Sequence, residues 1–144
     1  MPVSEGRFEV KVSTTFKSIE EGLMELKKKL DSSKKIRISN IPMAVLEHFL
    51  PDMEGKDVKI IIPHGAKPTP AMKQMGNIAV MKAKIYKDYK GKQANLGTVY
   101  FTDRVFTLTW TRDELLEVDS MDYPKCVKCM GGTFQTGWRY AEKL

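Results

Sequence analysis

The 144-residue chain is poor in the residues that usually announce a chemistry, with two cysteines and two histidines. Four ligands complete a structural zinc site, so these residues make at most one set per chain. Long apolar runs are missing as well. None approaches the roughly 20 residues of a membrane-spanning helix. The opening MPVSEGRFEVKV has no apolar core of the kind a signal peptide needs. No membrane association and a cytoplasmic location are therefore the expectation. Arginine is scarce beside lysine, and there is neither an arginine-rich segment nor an aromatic RNA-binding motif. Arginine is the residue suited to bidentate phosphate or base recognition, which leaves nucleic acid without an evident reader on this chain alone. A phosphate loop, a Ser-His-Asp set and paired catalytic carboxylates are all lacking. So are internal repeats, low-complexity tracts and linkers, and residues 1–144 read as one domain.

What is present is an ordinary globular composition with a net charge of +6, from 24 basic and 18 acidic side chains. Such a surplus raises the local concentration of anions, although a solvated lysine surface gives the same count. The chain is organised around Lys34 to Gly65, KKIRISNIPMAVLEHFLPDMEGKDVKIIIPHG. Ile36, Ile38 and Ile41 mark one apolar run and Val58-Lys59-Ile60-Ile61-Ile62 another. Both runs are short and β-branched, and the second fits a strand buried on both faces. Between them Pro42 suits a first helical turn, Met43, Val45, Leu46, Phe49 and Leu50 form an apolar stripe, and Pro51 ends it. The implied unit is parallel βαβ.

Upstream, Arg7 to Ser13 alternates as a half-buried strand, and Ser18 to Glu21 has capping-box spacing. Ile19, Leu23, Leu26 and Leu30 follow at helical spacing. Downstream, Pro68, Pro70, Gly65 and Gly76 mark a loop with at most one helical turn. Ile78 to Tyr86 returns to strand character, and Lys87 to Gly97 reads as an exposed connection. Thr98 to Thr102 and Val105 to Thr111 alternate around a turn at Asp103-Arg104. Glu114 to Val118 reads as tail, and Phe134 to Leu144 as a closing helix. The expected fold is α/β with a mixed sheet: a βαβαβ core, then antiparallel hairpin strands and a C-terminal helix.

This order resembles one half of a phospholipase D-like fold. The residues that carry it are the strand KKIRISNIP, the helix after it, the strand DVKIIIP, the basic loop and the hairpin GTVYFTDRVFTLTW. It is similar in particular to the sensor domain of archaeal TrmB-type transcription regulators, in which a late hairpin carries an acidic turn, matched here by Asp103. The resemblance spans Phe16 to Trp110. Enzymes of that family use a His-x-Lys pair followed by Asp, with the histidine as nucleophile toward phosphate. Here His64-Gly-Ala-Lys67 is one residue too wide and has no Asp soon after it, and His48 has no lysine two positions on. The resemblance therefore implies a sensing, regulatory or partner-binding domain without catalysis. A helix-turn-helix is also missing, so any regulatory output would run through a protein partner.

Three sets of residues carry the remaining chemistry. His64, Lys67 and Lys73 follow a central strand, where open α/β sheets bind ligands, and form a candidate site for a small anion. An enzyme using His64 and Lys67 on an anionic or phosphate substrate is the competing use of the same loop. Cys126 and Cys129, in CVKCMGG, form half of a zinc or iron site, with Gly131 and Gly132 freeing the turn behind them. The same pair can be a reversible disulfide beside Lys125 and Lys128, or unligated thiols. A homodimer would complete a shared metal site. Trp138 and Tyr140 stand close behind the cysteines as a cover or a contact surface.

Overall fold

In the computed structural model, residues 14–83, 96–111 and 114–144 are described. The strand expected at Arg7 to Ser13 lies outside them, as does most of the connection expected at Lys87 to Gly97. The elements run β1 (Thr14–Thr15), α1 (Ile19–Ser32), β2 (Lys35–Ser39), α2 (Met43–Phe49), β3 (Asp57–Ile62) and α3 (Pro70–Gln74). After these come β4 (Ile78–Lys82), β5 (Leu96–Tyr100), β6 (Val105–Thr111), β7 (Glu114–Met121) and α4 (Pro124–Tyr140). One seven-stranded sheet results, in the order β1-β7-β6-β5-β2-β3-β4. β2, β3 and β4 are parallel; β5, β6, β7 and β1 continue antiparallel from the other side of β2. The α/β mixed-sheet expectation holds.

Local chemistry accounts for the elements. Ser18 Oγ accepts the Glu21 N–H at 3.1 Å, and Glu21 Oε1 accepts the Lys17 N–H at 3.3 Å, which starts α1. Pro42 precedes α2, and a short 3₁₀ turn containing Pro51 follows it, since proline cannot continue the α-helical bonding. In the parallel pair, Ile36 faces Val58 and Ile38 faces Ile60, all four buried. Asn40 adopts φ 59° just past β2, and its amide donates to the Leu96 carbonyl at 2.9 Å. That bond helps join the parallel half of the sheet to the hairpin half.

The two faces of the sheet are unequal. On one, α1 and α2 bring Leu26, Leu30, Leu46 and Phe49 onto Ile36, Ile38, Ile60, Phe106 and Leu108 in the main core. The other, among the described residues, is covered by one helix, α4. A smaller cluster of Ile61, Tyr100, Val105, Val127 and Phe134 holds α4 there, with Met130 and Trp138 packed against it. Val127, Met130, Phe134 and Trp138 recur at helical spacing, so α4 presents one apolar stripe. Backbone bonds of 2.9 Å in each direction between Lys82 and Glu142 tie down the chain just past its end.

Three details differ from the sequence reading. Glu114 to Met121 is a strand, paired with β6 so that Val118 faces Leu108. The C-terminal helix starts at Pro124 and ends at Tyr140, so both cysteines and both glycines lie inside it. β3 is not buried along both faces: Lys59 on the α4 side is only half-buried, and full burial on both sides begins at Ile61.

Candidate functional site

Alternation along the central strands determines what faces α4. On β2, Ile36 and Ile38 point to the main core, which sends Lys35 and Arg37 to the opposite face. On β3, Asp57 and Lys59 do the same, in register with Lys35 and Arg37. Tyr100 on β5 pairs with Arg37 and shares that face. One helix cannot cover a sheet this wide, and a cleft of about 670 Å³ is left between the strands and α4. Ligand clefts are typically of this size. Its floor is Lys35, Arg37, Lys59 and Tyr100; its helical wall includes Lys128, Gly131, Phe134 and Trp138; Asp103 and Asp122 stand at the rim.

The charge balance is legible in the pairings. Arg37 donates both guanidinium nitrogens to the Asp57 carboxylate at 3.2 Å, and also to the Ile36 and Asp57 carbonyls at 3.0 Å. These bonds hold it on Asp57, and it serves mainly as a brace. The Asp57 carboxyl is held below the ordinary carboxylate range, chiefly by the Arg37 hydrogen bond, with burial opposing and the charges of Arg37, Lys35 and Lys59 assisting. One carboxylate thus sits among three cations. At the rim, Asp103 is neutralised by Lys29, 2.6 Å away on α1, and that bond is the main reason its own carboxyl is held low. With the Arg37–Asp57 and Lys29–Asp103 pairs set aside, Asp122 is the remaining carboxylate among the described lining residues, against Lys35, Lys59 and Lys128, and the cleft is left cationic.

Aromatic rings line the helical side. Phe134 and Trp138 are stacked at 6.0 Å and 24°, and Tyr100 leans on Phe134 at 5.3 Å. Burial pushes the Tyr100 hydroxyl pKa upward, opposed by a hydrogen bond with Thr98. Lys59 Nζ lies 5.2 Å from the centre of the Trp138 ring, a cation–π contact. Gly131 contributes open space, because a Cβ there would meet nothing within 4 Å.

The residues singled out from the sequence lie elsewhere. His64 is exposed beyond the carboxyl end of β3, its Nδ1 3.3 Å from the Ala83 carbonyl oxygen. Lys67 and Lys73 are exposed too, and none of the three lines the cleft, which opens at the amino ends of β2 and β3. His48 is exposed on α2 against the edge of Phe49. Cys126 and Cys129 are free thiols one turn apart on α4. They supply two of the four ligands zinc takes, and among the described residues no group of three or more His, Cys, Asp or Glu is placed to hold a metal. Asp103 stands at the β5–β6 turn as expected, but β5 leading to it, LGTVY, contains neither histidine nor lysine. Among the described residues no helix is long and apolar enough to cross a membrane.

Sequence comparison finds no matching family profile and no matching curated protein. Solved structures do match. NucT from Helicobacter pylori superposes with a TM-score of 0.70 at 13% identity, over 92% of this chain and 98% of that one. Nuc from Salmonella typhimurium, a phospholipase D family member, gives 0.62 at 16% identity, over 88% and 93%. TrmBL2, an archaeal chromatin protein with a novel mode of DNA binding, gives 0.60 at 12% identity, over 97% of this chain and 56% of that one. The fold is phospholipase D-like, as the order of elements implied, and at these identities the likeness concerns the fold.

Proposed function

We propose that this chain is a non-catalytic phospholipase D-like binding domain that takes a small anion in the cleft beneath α4. The observation that supports this is the cationic floor, where Lys35, Arg37 and Lys59 all act on the Asp57 carboxylate and outnumber it among the described residues. Lys35 and Lys59 have donors to offer; Arg37 stays on Asp57 and holds the floor in shape. Among the described residues the cleft is lined by no histidine or cysteine to act as nucleophile, and β5, before Asp103, lacks the histidine and lysine that phospholipase D-like enzymes need. Binding without turnover fits that inventory. A sensing role follows if occupancy is read by a protein partner, since α4 forms one wall of the cleft and much of its outer face is exposed.

Two measurements on the full chain test this. Turnover of a generic phosphodiester should be absent with any divalent metal, and turnover lost in His64→Ala would overturn the proposal. Inorganic phosphate should bind with an affinity that falls as salt rises. Gly131→Leu places a helix-favouring side chain into open space, so it should block binding without lowering the melting midpoint. Unchanged binding in a folded Gly131→Leu protein would place the anion elsewhere.

A further inference from the structure

The cleft joins two features that a bare anion does not need together, lysines that among the described residues form no salt bridge and a stacked aromatic wall. Phe134 is fixed by burial, with 4% of its surface exposed, and it backs Trp138, which is only half-buried. A ring held from behind with surface still accessible can stack on a planar ligand. Lys59 is already at that ring, 5.2 Å from its centre, and projects from a strand position in register with Arg37. A lysine has a flexible four-carbon stem and three donors, so its ammonium can leave a ring for a stronger partner within the same cleft.

We infer that the ligand is a planar aromatic anion, which stacks on Trp138 and draws the Lys59 ammonium from the ring to its own acidic group. The exchange replaces one cation–π contact with a stack and a charge-assisted hydrogen bond, both more favourable in a partly enclosed cleft. It rests on the cleft being the anion site. The shared chemistry is a ring joined to a carboxylate or a phosphate, so an aromatic carboxylate and a mononucleotide are both within the class. The lining allows for size, because Gly131 leaves the helical wall bare between Val127 and Phe134.

The test is calorimetric titration of the full chain with matched pairs: adenosine monophosphate against ribose 5-phosphate, and indole-3-carboxylate against acetate. In at least one pair the aromatic member should bind about tenfold tighter, the scale of one stacked ring. The pair that shows the preference identifies the source of the acidic group. Trp138→Leu should erase the preference and retain the weaker binding of ribose 5-phosphate. Lys59→Met should weaken every anion alike and leave the melting midpoint near that of the parent. Equal affinities within both pairs, with phosphate still bound, would overturn the aromatic requirement and leave the anion site standing. No binding of any anion, inorganic phosphate included, would overturn both.

Discussion

Removing the Phe134 ring gives the clearest measure of how α4 is held. Phe134 is 4% exposed and touches Tyr100 and Trp138 in the small cluster under the helix. Phe→Ala in a closed core costs about 3–5 kcal/mol, of which part is the void left behind. Here the site borders a cleft, water can enter, and the void contribution shrinks, so Phe134→Ala should cost about 3 kcal/mol, the low end of that range. Phe106 is 0% exposed, and it stacks on Phe16 and meets Phe101 edge-on in the main core. Phe106→Ala should cost about 5 kcal/mol, the high end. For a domain of this size the Phe134 loss corresponds to roughly a 10 °C fall in melting midpoint. Urea denaturation followed by circular dichroism gives both values. A Phe134→Ala loss below ~1 kcal/mol would mean that α4 is held by something other than its apolar stripe. A loss equal to that of Phe106→Ala would mean that the site is as closed as the main core.

Two other positions give separate tests. Gly97 lies in β5 where a Cβ would come within 2.5 Å of Ile41 Cδ1 and 2.6 Å of the Asn40 carbonyl oxygen. Backbone cannot give way as a side chain can, so Gly97→Ala should destabilise by about 1–3 kcal/mol in denaturant titration; a neutral result would contradict the close approach. Asp103 has its carboxyl held below the ordinary range by Lys29, so the pair stabilises the fold above that range and the contribution is lost as pH falls through the folded-state value. Asp103 is 67% exposed, which limits the effect to about 0.2–1 kcal/mol. Asp103→Asn should therefore flatten the acid limb of the stability curve and leave its slope near neutrality unchanged.

The parts of the fold visible in the sequence were those fixed by local chemistry. The β-branched runs around Ile36 and Ile60, the Ser18–Glu21 cap and the alternation of Phe106, Leu108 and Trp110 each point to one element without help from distant residues. β7 was hidden because the adjacent Leu115 and Leu116 break the alternation, where the register with β6 shifts between Thr109 and Trp110, and only pairing with β6 makes it a strand. The start of α4 was hidden by Gly131 and Gly132, poor helix formers held helical by the packing of Val127 and Phe134 on the sheet. The cleft draws its residues from β2, β3, β5 and α4, so no contiguous motif announces it. One local signal was available: Lys35 and Arg37 alternate with isoleucines in a central strand, and Lys59 stands between Val58 and Ile60. Cations there must face something other than an apolar core. Which of them keep a free charge depends on Arg37 meeting Asp57 and Lys29 meeting Asp103, pairings that only the folded chain displays.

The most direct measurement is the map of backbone and indole N–H chemical shifts during titration with inorganic phosphate. Shifts should concentrate on Lys35, Lys59, Lys128 and Gly131 and on the Trp138 indole, and they should fade with added salt. Shifts centred on His64, Lys67 and Lys73, with the Trp138 indole unmoved, would place the anion outside the cleft and contradict the cleft as the binding site.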